Sequence, residues 1–145
     1  MDKNDNNAMQ LNIKHRCCMQ MILAIAAGGA VGAVLRHYLN SFAATLLGTG
    51  FPYGIFAANI LGSFLMGVLI VYFALAGEGT QTMKASFLTV GLLGAFTTFS
   101  TFSLDAALMI ERGQLITAGL YIGGSVVLAI GGLFLGMAIT RIFLA

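Results

Sequence analysis

Charge is what this chain has least of. Only 8% of its 145 residues are Asp, Glu, Lys or Arg, whereas 59% are hydrophobic and the mean hydropathy is +0.93. A soluble domain carries charge on about a quarter of its residues, so an ordinary water-facing surface is excluded and the chain reads as an integral membrane protein. The net charge of +2 is too small to point to a nucleic acid partner. Cysteine is almost missing as well. Cys17 and Cys18 are adjacent, and adjacent cysteines do not readily bridge each other, so no structural disulfide is expected. His15 beside Cys17 is at best a very weak metal signal. No catalytic triad, zinc-ligand spacing or phosphate loop occurs. Gly28, Gly29 and Gly32 are close together, but no strand–helix unit surrounds them as a nucleotide loop requires. An enzyme is therefore not indicated.

What the chain does have is long uncharged runs. Residues 17–35, 37–77, 85–104 and 113–140 contain no Asp, Glu, Lys or Arg. Each can hold a membrane span of about 20 residues. The second run starts inside the first helix, and the turn-rich residues 48–53, Gly-Thr-Gly-Phe-Pro-Tyr, separate the two. The reading is an all-α membrane protein with helices at about 19–47, 52–76, 84–111 and 114–142. Residues 1–18 are a polar N-terminal extension, expected to be disordered, ahead of a four-helix transmembrane domain over 19–145. Lys14, His15 and Arg16 before an apolar run also resemble the start of a signal peptide. The length of the first span and the three that follow favour a retained helix. Lys3, Lys14, Arg16, Lys84 and Arg141 fall on one side of the membrane, Arg36 and Arg112 on the other, which favours a cytoplasmic N-terminus.

The most informative stretch is residues 94–105, Gly-Ala-Phe-Thr-Thr-Phe-Ser-Thr-Phe-Ser-Leu-Asp. Residues 96–103 pack five hydroxyls and three phenylalanines into eight positions. Hydroxyls at membrane depth need partners or a permeating solute, so the run reads as the lining of a pathway or as a helix–helix contact face. Phe99 and Phe102, Thr98 and Thr101, and Ser100 and Ser103 each stand three apart, the spacing of neighbours on a helix. Serine and threonine in membrane helices bond back to their own carbonyls and bend the helix, so helix three is expected to break near its middle. A broken helix frees carbonyls for a cation and amides for an anion. In helix two, Asn59 and Ser63 share a face, and the Asn59 amide can donate to an anion or bond across to another helix. In helix four, Tyr121 and Ser125 are likewise one turn apart, either as a polar track or as a bond to a neighbour. In helix one, Gly28 and Gly32 allow close helix packing. Arg36 can draw anions into a vestibule, or it can snorkel to the interface.

Together these residues resemble the Fluc/CrcB family of fluoride channels. The likeness covers about residues 20–140. It rests on Gly-Gly-x-x-Gly-Ala-x-x-Arg in helix one, Asn-x-x-Gly-Ser-Phe-x-x-Gly in helix two and Gly-x-x-Thr-Thr-Phe-Ser-Thr-Phe-Ser in helix three. The last motif is highly specific. The resemblance implies an antiparallel, dual-topology homodimer with paired fluoride pores and a structural sodium ion at the dimer centre. It implies that Phe99 and Phe102 contact fluoride, that Asn59 lines the pore and that Tyr121 and Ser125 form a polar track. It also implies that the backbone carbonyls of Gly94 and Thr97 hold the sodium, and that Arg36 is the family's helix-one arginine at the vestibule. Two departures stand out. Ile55 occupies a position that is often threonine, and Asp105 one that is often glutamate.

The expected function is passive, fluoride-selective transport that exports fluoride and lowers its cytoplasmic concentration. The expected location is the cell membrane, the inner membrane if the organism is Gram-negative. Fluoride is small and strongly hydrated, so hydroxyl and amide donors must replace its water without holding it too tightly to leave. Phenylalanine rings can add their positive edges. The main alternative is a small dual-topology multidrug exporter, but that chemistry needs an acidic residue in the first helix, and residues 19–47 contain neither Asp nor Glu. A membrane subunit that only anchors a partner would not need these hydroxyl and phenylalanine rows.

Overall fold

The computed structural model describes residues 3–76 and 82–144, with side chains from Arg16 onward apart from that of residue 17. The weak pairing of His15 with Cys17 therefore lies outside the described residues. Among those described, all regular structure is helical. Helix α1 is Lys3–Leu47 and α2 is Tyr53–Leu75. The third span consists of α3 (Met83–Ala85), a π-helix (Ser86–Leu93), α4 (Gly94–Phe96) and α5 (Phe99–Glu111). Helix α6 is Leu115–Leu144. Among the described residues, four segments are long and apolar enough to cross a membrane: Cys18–Leu47, Tyr53–Leu75, Met83–Glu111 and Leu115–Leu144.

These boundaries lie close to those read from the sequence, except at the start, where α1 is helical from Lys3 rather than from about residue 19. A polar segment joined to an existing helix extends it without a new nucleation step. The turns are set by glycine where the backbone demands it: Gly48 and Gly113 have φ of 80° and 75°, the left-handed conformation that ends helices.

The third span breaks where the hydroxyls cluster. Thr97 has φ −80°, ψ 152° and Thr98 φ −152°, ψ 126°, extended values that suit β-branched residues. The Thr97 hydroxyl donates to the Leu93 carbonyl at 3.0 Å, back-bonding of the kind that bends membrane helices. The chain re-enters a helix because the Thr98 hydroxyl caps α5, accepting from the Thr101 N–H.

Packing follows the small residues. Helix α1 lies mainly along the π-helix, and α2 along α6. A Cβ on Gly28 would sit 2.4 Å from the Phe87 carbonyl oxygen, and one on Gly32 2.1 Å from that of Leu92. The Gly28/Gly32 spacing is therefore an α1 contact surface for the π-helix. The π-helix itself has no sequence signal that we identify. The buried cluster of Ile55, Phe102, Ala106, Met109, Ala118 and Tyr121 joins α2, α5 and α6 next to the break.

Candidate functional site

The break is held open by side chains from two other helices. The Asn59 amide of α2 binds both backbone polar groups of Thr98. Its Oδ1 accepts from the Thr98 N–H at 2.8 Å, and its Nδ2 donates to the Thr98 carbonyl at 3.1 Å. One N–H of that amide is left for another acceptor. Arg36 of α1 donates from Nε to the Ala95 carbonyl at 3.1 Å and from Nη1 to the Thr101 hydroxyl at 3.3 Å. Asn59 thus bonds across to another helix, one of the two roles open to it from sequence. Arg36 is half-buried and engaged with the break.

The hydroxyls of α5 divide between two surroundings. Thr101 accepts from Arg36, and the Thr98 hydroxyl donates to that of Thr101 at 3.2 Å. Ser100 and Ser103 are exposed; Ser103 bonds back to the Phe99 carbonyl at 2.9 Å, and Ser100 lies 3.2 Å from the Thr98 hydroxyl.

Beside the break lies a cavity of about 370 Å³ lined by Asn59, Ser63, Gly94, Thr97, Thr98, Phe99, Phe102, Ser125, Val126 and Ala129. It gathers eight of the residues discussed in the sequence, Ser63 among them, which come from α2, α4, the break, α5 and α6. The sequence places Phe99 and Phe102 on one face, and their rings do touch, with centroids 5.6 Å apart. Their exposure differs sharply: Phe102 is 8% exposed and Phe99 79%. Ser125 is buried, and its Oγ has no hydrogen-bond partner among the described residues. A buried hydroxyl without a partner costs roughly 1–3 kcal/mol, so it stands ready to donate to whatever enters the cavity.

Tyr121 does not line this cavity. It sits behind Phe102 with ring centroids 5.1 Å apart, and its hydroxyl donates to Asp105 Oδ2 at 3.5 Å. Asp105 in turn lines a second cavity of about 220 Å³, with Asn40, Phe51, Tyr53, Arg112 and Gln114 among its walls, at the end of the bundle near the α1–α2 turn. Phe51, Tyr121 and Phe102 therefore make a continuous aromatic path between the cavity at the end of the bundle and the one beside the break: Phe51 meets Tyr121 edge-on at 5.4 Å. Ile55 is buried in the same cluster, so an apolar side chain fits where a hydroxyl was considered. Arg36 lines neither cavity.

The site selection from sequence left out Ser63 and Asp105. Ser63 was legible, because it stands four residues after Asn59 and shares its face. Asp105 becomes informative only through its contact with Tyr121, sixteen residues away in the chain.

Comparison with known proteins bears on the whole bundle. The profile of the family described as CrcB-like protein, Camphor Resistance (CrcB), matches residues 23–137. The chain is 50% identical over 119 residues to a fluoride-specific ion channel FluC of Rhodopseudomonas palustris, covering 82% of this chain and 95% of that one. It is 51% identical over 123 residues to the protein of that name in Phenylobacterium zucineum, covering 85% and 97%. With the one in Rhodospirillum centenum the identity is 47% over 123 residues, covering 85% and 97%.

Proposed function

The chain belongs to the CrcB-like family, and on that premise we propose that it is a fluoride-selective ion channel. It is a multi-pass membrane protein and not an enzyme. The observation that carries the reading is the cavity in which Asn59, Thr98, Phe102 and the unpartnered Ser125 hydroxyl meet. The Ser125 hydroxyl and the remaining Asn59 N–H offer donors and the phenylalanine a ring edge, with no fixed cation. Fluoride can shed water there and still leave, as conduction requires. Transport is passive and lowers cytoplasmic fluoride by letting it run down its gradient.

The channel is an antiparallel homodimer in this reading. Phe99, Ser100 and Ser103 are exposed on one protomer within an apolar span. A pathway lined by Phe99 and by these hydroxyls cannot exclude lipid while it stands open on one side, so a second copy covers it. Gly94 and Thr97 fit the role of sodium ligands through their carbonyls. In an unbroken helix these carbonyls would receive the N–H groups of Thr98 and Thr101. Those donors are diverted instead to Asn59 Oδ1 and to the Thr98 hydroxyl. Backbone oxygens freed in this way suit a hard cation, which would add fixed positive charge at the protein centre.

The test is efflux from liposomes that contain only this protein. Vesicles loaded with fluoride should empty rapidly once a potassium ionophore balances charge, and chloride should stay inside. Comparable chloride efflux, or a need for a proton gradient, would refute the proposal.

A further inference from the structure

The break leaves backbone groups that must be satisfied within the membrane, and the way this is done points to an unexpected role for Arg36. In a continuous helix the carbonyls of Gly94, Ala95, Phe96 and Thr97 would accept from the N–H groups of Thr98, Phe99, Ser100 and Thr101. The chain redistributes these bonds. Asn59 takes the Thr98 N–H, the Thr98 hydroxyl takes the Thr101 N–H, and Arg36 Nε takes the Ala95 carbonyl. The other arm of the same guanidinium reaches Thr101 Oγ1 on the far side of the break. One planar fork therefore grips α4 and α5 together. The guanidinium donor is a cation, so both bonds are charge-assisted and stronger than ordinary ones even though their acceptors are neutral.

We propose that Arg36 is the positioning residue of the broken span: it fixes α4 against α5 and, by occupying the Ala95 carbonyl, leaves those of Gly94 and Thr97 directed to the central cation. The inference rests on the sodium reading above. Its chemistry is that of arginine in particular. The guanidinium holds its donors in a rigid fork, whereas a lysine ammonium is a single point at the end of a flexible stem. Lysine can serve the Ala95 carbonyl or the Thr101 hydroxyl but cannot hold both at the arginine geometry. Within this scheme Asn59 and Arg36 divide the work, Asn59 clamping Thr98 from α2 and Arg36 clamping its two flanks from α1.

The experiment measures thermal unfolding of the purified full chain in detergent as sodium replaces N-methylglucamine, alongside fluoride efflux. Wild type should gain stability with sodium along a saturating curve. Arg36→Gln should move the sodium midpoint upward by about tenfold, the loss expected for one charged hydrogen bond, and should slow fluoride efflux while chloride stays excluded. Arg36→Lys should fall between the two. Thr101→Val, which removes one acceptor of the fork, should raise the midpoint in the wild-type background and add little to Arg36→Gln. A residue that merely stabilised the bundle would lower the melting temperature in every solution and leave the midpoint where it was. That result, in Arg36→Gln or, if that variant does not fold, in Arg36→Lys, overturns the inference alone. A wild-type protein whose stability ignores sodium overturns the sodium reading and this inference with it. Wild-type vesicles that retain fluoride would instead refute the channel itself.

Discussion

At the scale of single residues, exposure separates side chains that the sequence treats alike. Phe99 and Phe102 are equivalent by spacing, but Phe102 is in the buried cluster and Phe99 is 79% exposed on the protomer. Phe102→Ile should therefore lose both packing and flux, with stability falling by roughly 1–3 kcal/mol. Phe99→Ile should leave protomer stability near wild type and still cut fluoride efflux by about tenfold or more, because the ring edge is lost. Efflux at the wild-type rate from Phe99→Ile, in protein that elutes as the wild-type oligomer, would show that this ring only packs. Ser125 gives the converse case. Its hydroxyl is buried without a partner, so Ser125→Ala removes a desolvated group and should leave stability unchanged or raise it by up to about 1 kcal/mol. Flux should nevertheless fall. A melting curve and an efflux trace on the same preparation separate the two effects.

At the scale of elements, the break in the third span depends on how closely α2 approaches it. A Cβ on Gly62 would lie 2.4 Å from Thr97 Cγ2 and 3.2 Å from Phe96 Cδ1. Thr97 cannot easily turn away, because it is β-branched and its hydroxyl is bound to the Leu93 carbonyl. Gly62→Ala should therefore push α2 from the break, costing about 1–3 kcal/mol and loosening the Asn59 bonds to Thr98 that sit one turn away. Adding Thr97→Ser removes the clashing methyl and keeps the hydroxyl. The double variant should recover most of the stability and flux lost in Gly62→Ala. If it does not, the close approach is not what the glycine provides.

At the scale of the whole molecule, one protomer leaves much of its proposed pathway open, since Phe99, Ser100 and Ser103 face outward. An antiparallel pair related by a two-fold axis near the break would bring mid-span positions of both copies together and hold like ends apart. On a background in which Cys17 and Cys18 are replaced, Ser100→Cys should cross-link to its own copy with a short bifunctional reagent. Ile116→Cys, which is 82% exposed at the start of α6, should not. Self-cross-linking at both positions would indicate a parallel pair and refute the arrangement.

The number of spans and the place of the break were legible in the chain, largely for a local reason. Uncharged runs of sufficient length and the turn-rich residues 48–53 act through their own backbone and need no distant partner, and the β-branched hydroxyl residues at 97–98 favour locally a break that Asn59 and Arg36 then hold. The π-helix was not legible, nor was the division of the hydroxyl row into Thr98 and Thr101, bonded to each other with Thr101 held by Arg36, and Ser100 and Ser103, which face outward. Spacing could bring Asn59, the phenylalanines and Ser125 under suspicion, but it could not say which would share a cavity. The role of Arg36 was still less accessible. A lone arginine in an apolar helix has several ways to satisfy its charge, and the choice among them is made by the Ala95 carbonyl and the Thr101 hydroxyl, 59 and 65 residues further along. Contacts across such distances exist only once the helices have packed, which is why the tertiary structure alone decided them.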